Sequence, residues 1–152
     1  MIDSVDKSIL KLLQSDAKLT IKEIGNKLNL SATPIFERIK RLERSGYITS
    51  YKALIDRKKV GLSLMVFCDI SLNQHHASHI AKFEKDIQQF NEVIACYHIG
   101  GSFDYLIKVV AKDMDEYQNF VSKKLASIDN IRKVQSSFVM REVKTPIGLP
   151  IN

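Results

Sequence analysis

A short cationic stretch, SATPIFERIKRLER at residues 31–44, carries the side chains best suited to binding a polyanion. At a helical step of about 100° per residue, its apolar residues form one stripe, with polar residues opposite and beside it. A guanidinium can bond guanine through two nitrogens, and either kind of cation can bind phosphate, so the stretch predicts contact with duplex DNA. The candidate DNA-binding residues are Ser31, Thr33, Pro34, Glu37, Arg38, Lys40, Arg41 and Arg44.

The charged residues of this stretch have different expected roles. Arg38 and Arg41 are expected to contact DNA, whereas Lys40 and Arg44 either contact DNA or face solvent. Glu37 precedes Arg41 by one helical turn, which favours an ion pair within the helix over a contact with cytosine. The alternative for the whole stretch is an ordinary helical hairpin whose charged face is solvated.

Two short helices are predicted to position these side chains. Thr20 and Glu23 form a capping box at the start of the first helix, which ends near Asn29 because asparagine tolerates left-handed geometry. Ser31 caps the second helix, and its hydroxyl and that of Thr33 could also touch phosphate at the helix N-terminus. Two helices joined by a tight turn, the second of them cationic, are typical of a helix-turn-helix. The predicted buried positions are Ile21, Ile24, Leu28, Ile35, Ile39 and Leu42.

The net charge of +6 is confined to the first part of the chain. Residues 1–60 hold 13 basic and 7 acidic side chains, whereas residues 61–152 hold 10 of each. This asymmetry indicates that the first part meets a polyanion and that the second part has another role. A membrane surface is a weaker candidate partner, because the basic face is interleaved with acids and lacks a large apolar face opposite.

Length and composition indicate one or two small globular domains, since 45% of the 152 residues are apolar. No apolar run approaches the roughly 20 residues that span a bilayer, and Asp3 and Asp6 interrupt the N-terminus, so a cytoplasmic location is expected. Cys68 and Cys96 lie in apolar, strand-like runs and are expected to be buried thiols, with a disulfide or a metal pair as the alternative.

A supporting helix and a wing are predicted to flank the helix-turn-helix. The helix covers residues 3–15 and begins with a cap at Asp3 or Ser4. After a glycine stop, the run YITSYKALI at residues 47–55 predicts a strand that forms the wing, from which Lys52 could reach a phosphate. The predicted buried positions of the supporting helix are Val5, Ile9, Leu12 and Leu13.

The remaining chain is predicted to be an α+β domain with the element order βαββαβ. This order is typical of a ferredoxin-like antiparallel sheet with both helices on one face. The predicted domain boundaries are 1–55 for the winged helix-turn-helix domain, 56–61 for a polar linker and 62–152 for the βαββαβ domain. The predicted elements are a strand at 62–72, a helix at 73–90, strands at 93–99 and 105–111, a helix from a capping box at Asp113 and Glu116 to Ile128, and a strand at 131–143.

Side-chain patterns in this second domain predict which faces are covered. Alternate residues of the first strand are apolar on one face, and Met65 and Phe67 make much of the other face apolar too, so a second copy of the chain is the simplest cover. The predicted inward positions of the two helices are Ile80, Phe83 and Ile87, and then Met114, Tyr117, Val121, Leu125 and Ile128.

Neither a metal site nor an enzyme is predicted. His75, His76 and His79 have a spacing that could bind zinc, but no fourth ligand is evident nearby. The sequence has no nucleophile elbow, no P-loop and no paired glycine fingerprint.

Together these features resemble the Lrp/AsnC family of bacterial and archaeal transcription regulators, also called feast/famine regulatory proteins. The resemblance covers nearly the whole chain and is specific because both halves occur in this order. It rests on LTIKEIGNKLNLSATPIFERIKRLERSGYI at residues 19–48, GGSFDYLIKV at 100–109, SSFVMREVK at 136–144 and GLPI at 148–151.

The family resemblance implies a winged DNA-binding domain, a hinge and a βαββαβ (RAM) domain that dimerises through its sheet. Such dimers commonly assemble further, often into octamers, and bind a small effector, typically an amino acid, where RAM domains meet. Glycine amides can receive a carboxylate and an aspartate can pair with an ammonium. By the resemblance, the effector-binding residues would be Gly100, Gly101, Ser102, Asp104, Gln135, Ser136 and Ser137.

Two features of the predicted effector site leave alternatives open. Gly-Ser-Phe stands between Gly100 and Asp104, where the family frequently has an acidic or polar residue. Asp104 could instead be a turn residue whose carboxylate caps its own backbone.

We interpret the sequence as a DNA-binding transcription regulator modulated by an amino-acid effector, with no other cofactor. Its expected partners are double-stranded DNA, the effector and further copies of itself, as a homodimer or a multiple of dimers. The alternatives are an architectural protein that coats DNA and a stand-alone amino-acid sensor or enzyme subunit. A sensor would not need the basic helix-turn-helix, and a small ratio of operator to random-DNA affinity would favour the architectural role.

Overall fold

The computed structural model describes residues 1–144 and 148–151 of the chain. Two compact units form it: Met1–Leu54 with Val143–Asn152, and Ile55–Glu142. Within the described residues, no helix is both long and apolar enough to cross a membrane.

Three helices build the first unit: α1 (Ser4–Ser15), α2 (Ile21–Leu28) and α3 (Ala32–Arg44). The Asp3 carboxylate caps α1 by accepting from the Asp6 amide, and the Asp6 carboxylate accepts from the Asp3 amide. The predicted capping box at the start of α2 is confirmed. The three helices share one apolar core of Ile9, Leu10, Ile24, Ile35, Ile39 and Leu42.

The turn between α2 and α3 depends on two residues. Asn29 ends α2 in the left-handed conformation, with φ of 54°, as its residue type predicted. Gly25 lies in α2 at a point where the turn passes close by. A Cβ at this position would stand 2.6 Å from the Leu30 carbonyl oxygen, so a larger residue would collide with the turn. The Leu30 amide also donates to the Gly25 carbonyl at 2.9 Å, so the two helices are joined tightly.

The predicted wing strand is wrong for this chain, because no strand is present at residues 47–55. A strand requires a hydrogen-bonding neighbour, and no described segment pairs with this one. The segment is instead joined to α3 at its start, where the Tyr47 amide donates to the Leu42 carbonyl at 2.9 Å, and at its middle, where the Tyr51 hydroxyl donates to the Glu43 carboxylate at 3.0 Å. Leu54 and Ile55 are 83% and 67% exposed, so the apolar side of the segment is left uncovered.

The predicted linker folds as a series of turns at the start of the second unit. The Asp56 carboxylate accepts from the Lys58 amide at 3.0 Å, and the Leu62 amide donates to the Arg57 carbonyl at 2.8 Å. At the other end of the chain, Leu149 exchanges hydrogen bonds with the Gln14 side chain of the first unit. The structure thus groups the described residues from 143 onward with the helices, whereas the sequence placed them with the sheet.

The second unit contains a four-stranded antiparallel sheet with the order β2-β3-β1-β4. This order confirms the predicted βαββαβ arrangement, with β1 and β3 in the centre and β2 and β4 at the edges. The last strand ends at Phe138, five residues earlier than predicted. The strands are β1 (Leu64–Leu72), β2 (Val93–His98), β3 (Tyr105–Ala111) and β4 (Ile131–Phe138).

Two helical segments, α4 (Ala77–Ile87) and α5 (Met114–Asn119), cover one face of this sheet. α4 is shorter than predicted at both ends: residues 73–76 form a loop bonded to neighbouring turns, and the helix ends at Ile87, three residues before the predicted end. After α5 the chain continues through a π-helical turn, Phe120–Lys124, and a 3-10 turn, Leu125–Ser127.

Two predictions at the α5 end need correction. Met114 was placed inward but is 51% exposed, because it is the first residue of α5 and a helical side chain leans toward the helix N-terminus. Phe120 is buried instead. The predicted capping box is half formed: Asp113 accepts from the Glu116 amide, but the Glu116 carboxylate accepts from the Lys112 amide.

Candidate nucleic-acid interface and ligand site

A buried carboxylate, Asp6 on α1, organises the charged side of α3. Its side chain is 0% exposed and accepts hydrogen bonds from Arg38 Nη1 at 2.8 Å and Arg41 Nη2 at 2.6 Å. Asp3 adds a second carboxylate, 2.6 Å from Arg38 Nη1. Two acids from α1 therefore hold two arginines of the candidate DNA-binding helix.

These ion pairs correct one prediction about Arg41. The residue was expected to pair with Glu37 within α3, but its guanidinium bonds the carboxylate of Asp6 instead. The Asp3 carboxylate, followed by that of Asp6, raises the pKa of Arg38 by accepting its hydrogen bonds. In turn, the Asp6 amide and then Arg38 hold the pKa of Asp3 below its ordinary value. Both arginines thus lie on the flank of α3 that faces α1.

The outward face of α3 is formed by four exposed residues opposite its buried stripe. Lys40 pairs with Glu43 at 3.0 Å, one turn along the helix, and its ammonium lies 5.8 Å from the centre of the Phe36 ring. Arg44 makes no ion pair with any side chain in the described part of the chain. The four residues of this outward face are Thr33, Glu37, Lys40 and Arg44.

The N-terminus of α3 is open to solvent. Ser31 is the N-cap residue by backbone conformation, but its hydroxyl makes no capping bond, so the predicted side-chain cap is absent. Ser31, Thr33 and Pro34 are all exposed there. Amides in the first turn of a helix lack partners within the helix and attract anions, so this end can receive a phosphate.

A second carboxylate, Asp104, closes the hairpin between β2 and β3. Its side chain accepts from the Leu72 amide at 2.7 Å and lies 2.9 Å from His75 Nε2. The bond from Leu72 is the main cause that holds the pKa of Asp104 below its ordinary value, with His75 as a further cause. The alternative that Asp104 caps its own backbone is therefore wrong, because its acceptor bonds go to β1 and the loop after it.

The loop at residues 73–76 ties the hairpin to a neighbouring turn. The Asn73 amide donates to the Asn130 carbonyl at 2.8 Å, and Gln74 exchanges two bonds with the Asn130 side chain. His75 then reaches the hairpin through Asp104. These bonds join the Asp104 end of the hairpin to the neighbouring loop and turn, while Gly101 within the hairpin has a φ of 143°.

The predicted effector residues in β4 do not lie on one face. Adjacent side chains of a strand point to opposite sides, so Gln135 and Ser137 share the open face and Ser136 points to the core. The Ser136 hydroxyl lies 2.5 Å from the Tyr117 hydroxyl, which lies 3.1 Å from Cys68 Sγ. Ser136 is thus engaged in a polar chain within the core.

The hairpin and the open face meet at the start of β4. The Lys133 ammonium lies 5.4 Å from the centre of the Phe103 ring, and Lys133 shares the open face with Gln135. Four of the predicted effector positions, Gly100, Gly101, Ser102 and Asp104, lie in this hairpin, whereas Gln135 pairs with Asp69 near the middle of β4.

Both cysteines are free, as predicted, although Cys96 is only half-buried. Burial raises the pKa of both thiols. It also raises the pKa of Tyr117, with the bond to Cys68 as a further cause. These groups remain neutral near neutral pH.

The three closely spaced histidines are not gathered into one cluster. His75 bonds Asp104, while the rings of His76 and His79 have centroids 6.1 Å apart. No three His, Cys, Asp or Glu side chains within the described residues are placed to hold a metal ion.

A cavity of about 360 Å³, which the sequence did not indicate, lies between α4 and β2. At one side the Tyr105 hydroxyl donates to Glu84 at 2.8 Å, and the His98 ring stacks on that of Tyr105 at 4.7 Å. Tyr105 is nearly fully buried, and its pKa is raised by burial and by the bond to Glu84.

Two family models match the chain. Residues 2–49 match the model described as winged helix-turn-helix DNA-binding, and residues 65–148 match the Lrp/AsnC ligand binding domain.

Characterised relatives are similar over their full length. The chain is 34% identical to the DNA-binding transcriptional activator DecR of Escherichia coli (strain K12), covering 99% of each protein. It is 36% identical to the transcriptional regulator AzlB of Bacillus subtilis (strain 168), covering 100% of this chain and 97% of AzlB. The crystal structure of a Neisseria meningitidis transcriptional regulator in complex with L-Met superposes with a TM-score of 0.96 at 32% identity, covering 100% and 98% of the two chains.

Proposed function

The chain belongs to the Lrp/AsnC family of DNA-binding transcriptional regulators, and from this premise we propose that an amino acid controls its DNA binding or its assembly. The observation that carries the proposal is the Asp104 carboxylate, which accepts from the Leu72 amide and lies beside His75 at the end of the hairpin Gly100–Asp104, in the unit that matches the family's ligand-binding domain. A regulator of this kind would act where the chromosome lies, which in a bacterium is the cytoplasm.

The proposed DNA contact is the N-terminus and outward face of α3. An exposed helix with unpaired N-terminal amides, Lys40 and Arg44 suits the major groove and its phosphates. Thr33 can reach a phosphate, and Glu37 can accept from a cytosine amino group. Arg38 and Arg41 were also predicted to bind DNA, but Arg38 is paired with the carboxylates of Asp3 and Asp6, and Arg41 with that of Asp6.

The proposed effector site uses the remaining capacity of Asp104. A carboxylate has about four acceptor positions, and the structure records two donors on this one, the Leu72 amide and His75. An amino acid's ammonium can take a remaining position while backbone amides at Gly100 and Gly101 receive its carboxylate. The relative solved with L-Met supports this ligand class. Among the predicted β4 residues, Gln135 and Ser137 suit the site better than Ser136, whose hydroxyl is already bonded.

The proposed assembly is a dimer, or a multiple of dimers, that covers the open face of the sheet. No helix of the described chain packs on this face, where Phe67 and Leu106 are partly exposed and Tyr97 is 55% exposed. A second copy presents the same surface and can bury it symmetrically. Sedimentation analysis tests the proposal, and a monomer at micromolar concentration would contradict it.

Such an effector can act only through a difference in its affinity for two arrangements of the regulator. We therefore expect the ligand to change the apparent DNA affinity or the oligomer size together with its own occupancy.

A thermal-shift screen of the twenty amino acids on the full chain tests the ligand proposal. We expect at least one amino acid to raise the melting temperature of the wild type and to lose most of that effect in Asp104→Ala. His75→Ala is the matched control, because it removes a neighbour of Asp104 without removing the carboxylate. The absence of any shift with the wild type, or an equal shift with Asp104→Ala, would refute the assignment.

A further inference from the structure

The ion pairs between α1 and α3 divide the cations of α3 into two groups. Arg38 and Arg41 have carboxylate partners on α1, and Asp6, which binds both, is fully buried. Arg44 has no ion-pair partner in the described chain, and Lys40 is tied only to a neighbour on its own helix. The two groups differ in the negative charge that already lies beside each cation.

The difference lies in the carboxylate charge that already lies beside each guanidinium. Arg38 and Arg41 each bond carboxylate through a single nitrogen, and the Arg41 side chain is 53% exposed, so other N–H donors stay free. The pairing removes net positive charge, because a phosphate that approaches either guanidinium also meets the repulsion of a carboxylate 2.6–2.8 Å from it. Asp6 cannot follow the arginine outward because it is buried and also accepts from the Asp3 amide. An outward cation loses only solvent or a partly exposed surface pair, which costs little.

We propose that Asp6 is a specificity-determining residue: its buried carboxylate withholds Arg41, and together with Asp3 withholds Arg38, from the phosphates of duplex DNA. Each cation that contacts phosphate adds affinity that does not depend on base sequence. By removing two such contacts, Asp6 lowers affinity for random DNA and leaves recognition to the N-terminus and outward face of α3. The inference concerns DNA discrimination and does not depend on the proposed amino-acid site.

This role and a purely structural role predict opposite changes in DNA affinity when Asp6 is replaced. If Asp6 only stabilised the unit, its replacement would weaken all DNA binding. If it withholds Arg41, replacing it by the isosteric, neutral asparagine frees a cation beside the DNA surface and strengthens binding to random DNA.

The test measures the affinity of the full-length protein for a random-sequence duplex at KCl concentrations from about 50 to 200 mM. Over this range, the number of phosphate contacts can be read from the slope of log affinity against log salt. We expect Asp6→Asn to bind about three- to tenfold more tightly at the lowest salt. We also expect the slope of log affinity against log salt to steepen by about 0.9, which is one additional phosphate contact.

Two further variants isolate the cause. Asp16→Asn removes the same charge from the exposed end of α1, where the carboxylate accepts from the Lys18 amide and from no other group of the described residues, and should leave the slope unchanged. Asp6→Asn combined with Arg41→Gln should return the slope to the wild-type value. Weaker binding by folded Asp6→Asn, or an equal change in Asp16→Asn, would overturn the proposal.

A single variant covers the case in which Asp6→Asn does not fold. Arg41→Gln alone should leave the salt slope of the wild type unchanged, because Arg41 is withheld there. A slope shallower by about 0.9 would show that Arg41 binds phosphate and would overturn the proposal.

Discussion

Asp6 in the helical unit and Asp104 in the sheet unit are both carboxylates that join distant parts of the chain, but their partners differ. Asp6 is fully buried and accepts from two arginine side chains of another helix. Asp104 is 25% exposed at its side chain and accepts from one backbone amide and one histidine. The first carboxylate pairs with charged side chains beside the proposed DNA-binding face, while the second bonds backbone and has acceptor positions left for the proposed ligand.

The comparison shows how burial and partner type divide structural from binding roles. A buried carboxylate with two cations is saturated and cannot recruit an external ligand without a large desolvation cost. A partly exposed carboxylate bonded to an amide remains accessible to an incoming ammonium.

Asp6→Ala should have the largest effect on stability. The substitution leaves two guanidinium groups without their shared partner and opens a small cavity. We expect the free energy of unfolding of the first unit to fall by about 2–3 kcal/mol. The loss is smaller than for a fully buried pair, because both arginines keep solvent contact. Urea unfolding followed by helical circular dichroism measures it. Asp16→Ala is the exposed control, and an equal loss in both variants would remove the distinction between them.

Asp104→Ala should have an intermediate effect that depends on pH. We expect a loss of about 1–2 kcal/mol at pH 7, mainly from the unsatisfied Leu72 amide. Because folding lowers the pKa of Asp104 from its ordinary 3.8, the charged form stabilises the protein above about pH 4. That contribution is lost as the pH falls through the lower folded pKa.

The measurement is urea unfolding of wild type and Asp104→Ala from pH 7 down to pH 3. The difference between the two proteins should shrink as the solution becomes acidic. A constant difference over this range would mean that the bond does not depend on the charge of the carboxylate.

His75→Ala should have the smallest effect, below about 1 kcal/mol, because its ring is 59% exposed and its pair with Asp104 lies at the surface. Thermal unfolding of His75→Ala and Asp104→Ala, each compared with the wild type, measures the two losses of stability within this site. A loss as large as that of Asp104→Ala would make the histidine, and not the Leu72 amide, the main partner of the carboxylate.

Local patterns in the sequence predicted most of the helical unit. The Thr20 capping box, the left-handed Asn29 and the stripe of Ile35, Ile39 and Leu42 depend on neighbours within one or two helical turns. The absence of the wing strand could not be predicted from local patterns, because a strand-like run becomes a strand only when another segment pairs with it.

The contacts of the candidate sites were harder to predict because they join residues far apart in the chain. Asp6 meets its arginines across 32 and 35 positions, and Asp104 meets Leu72 across 32. In the sequence, Asp6 was only an acid that interrupts the N-terminus, and nothing in its local sequence indicated burial or a pair with α3. By contrast, the alternation of β4 already separated Ser136 from Gln135, so that correction was available from the strand prediction itself.

The most direct test of how α3 uses its cations compares Arg44→Gln with Arg41→Gln in the full-length protein. Both variants remove one positive charge from the same helix, so any difference reflects where each side chain is held. For binding to duplex DNA, we expect the slope of log affinity against log salt to become shallower by about 0.9 for Arg44→Gln and to stay unchanged for Arg41→Gln. Equal changes in the two variants, or a loss confined to Arg41→Gln, would contradict the division between outward and withheld cations.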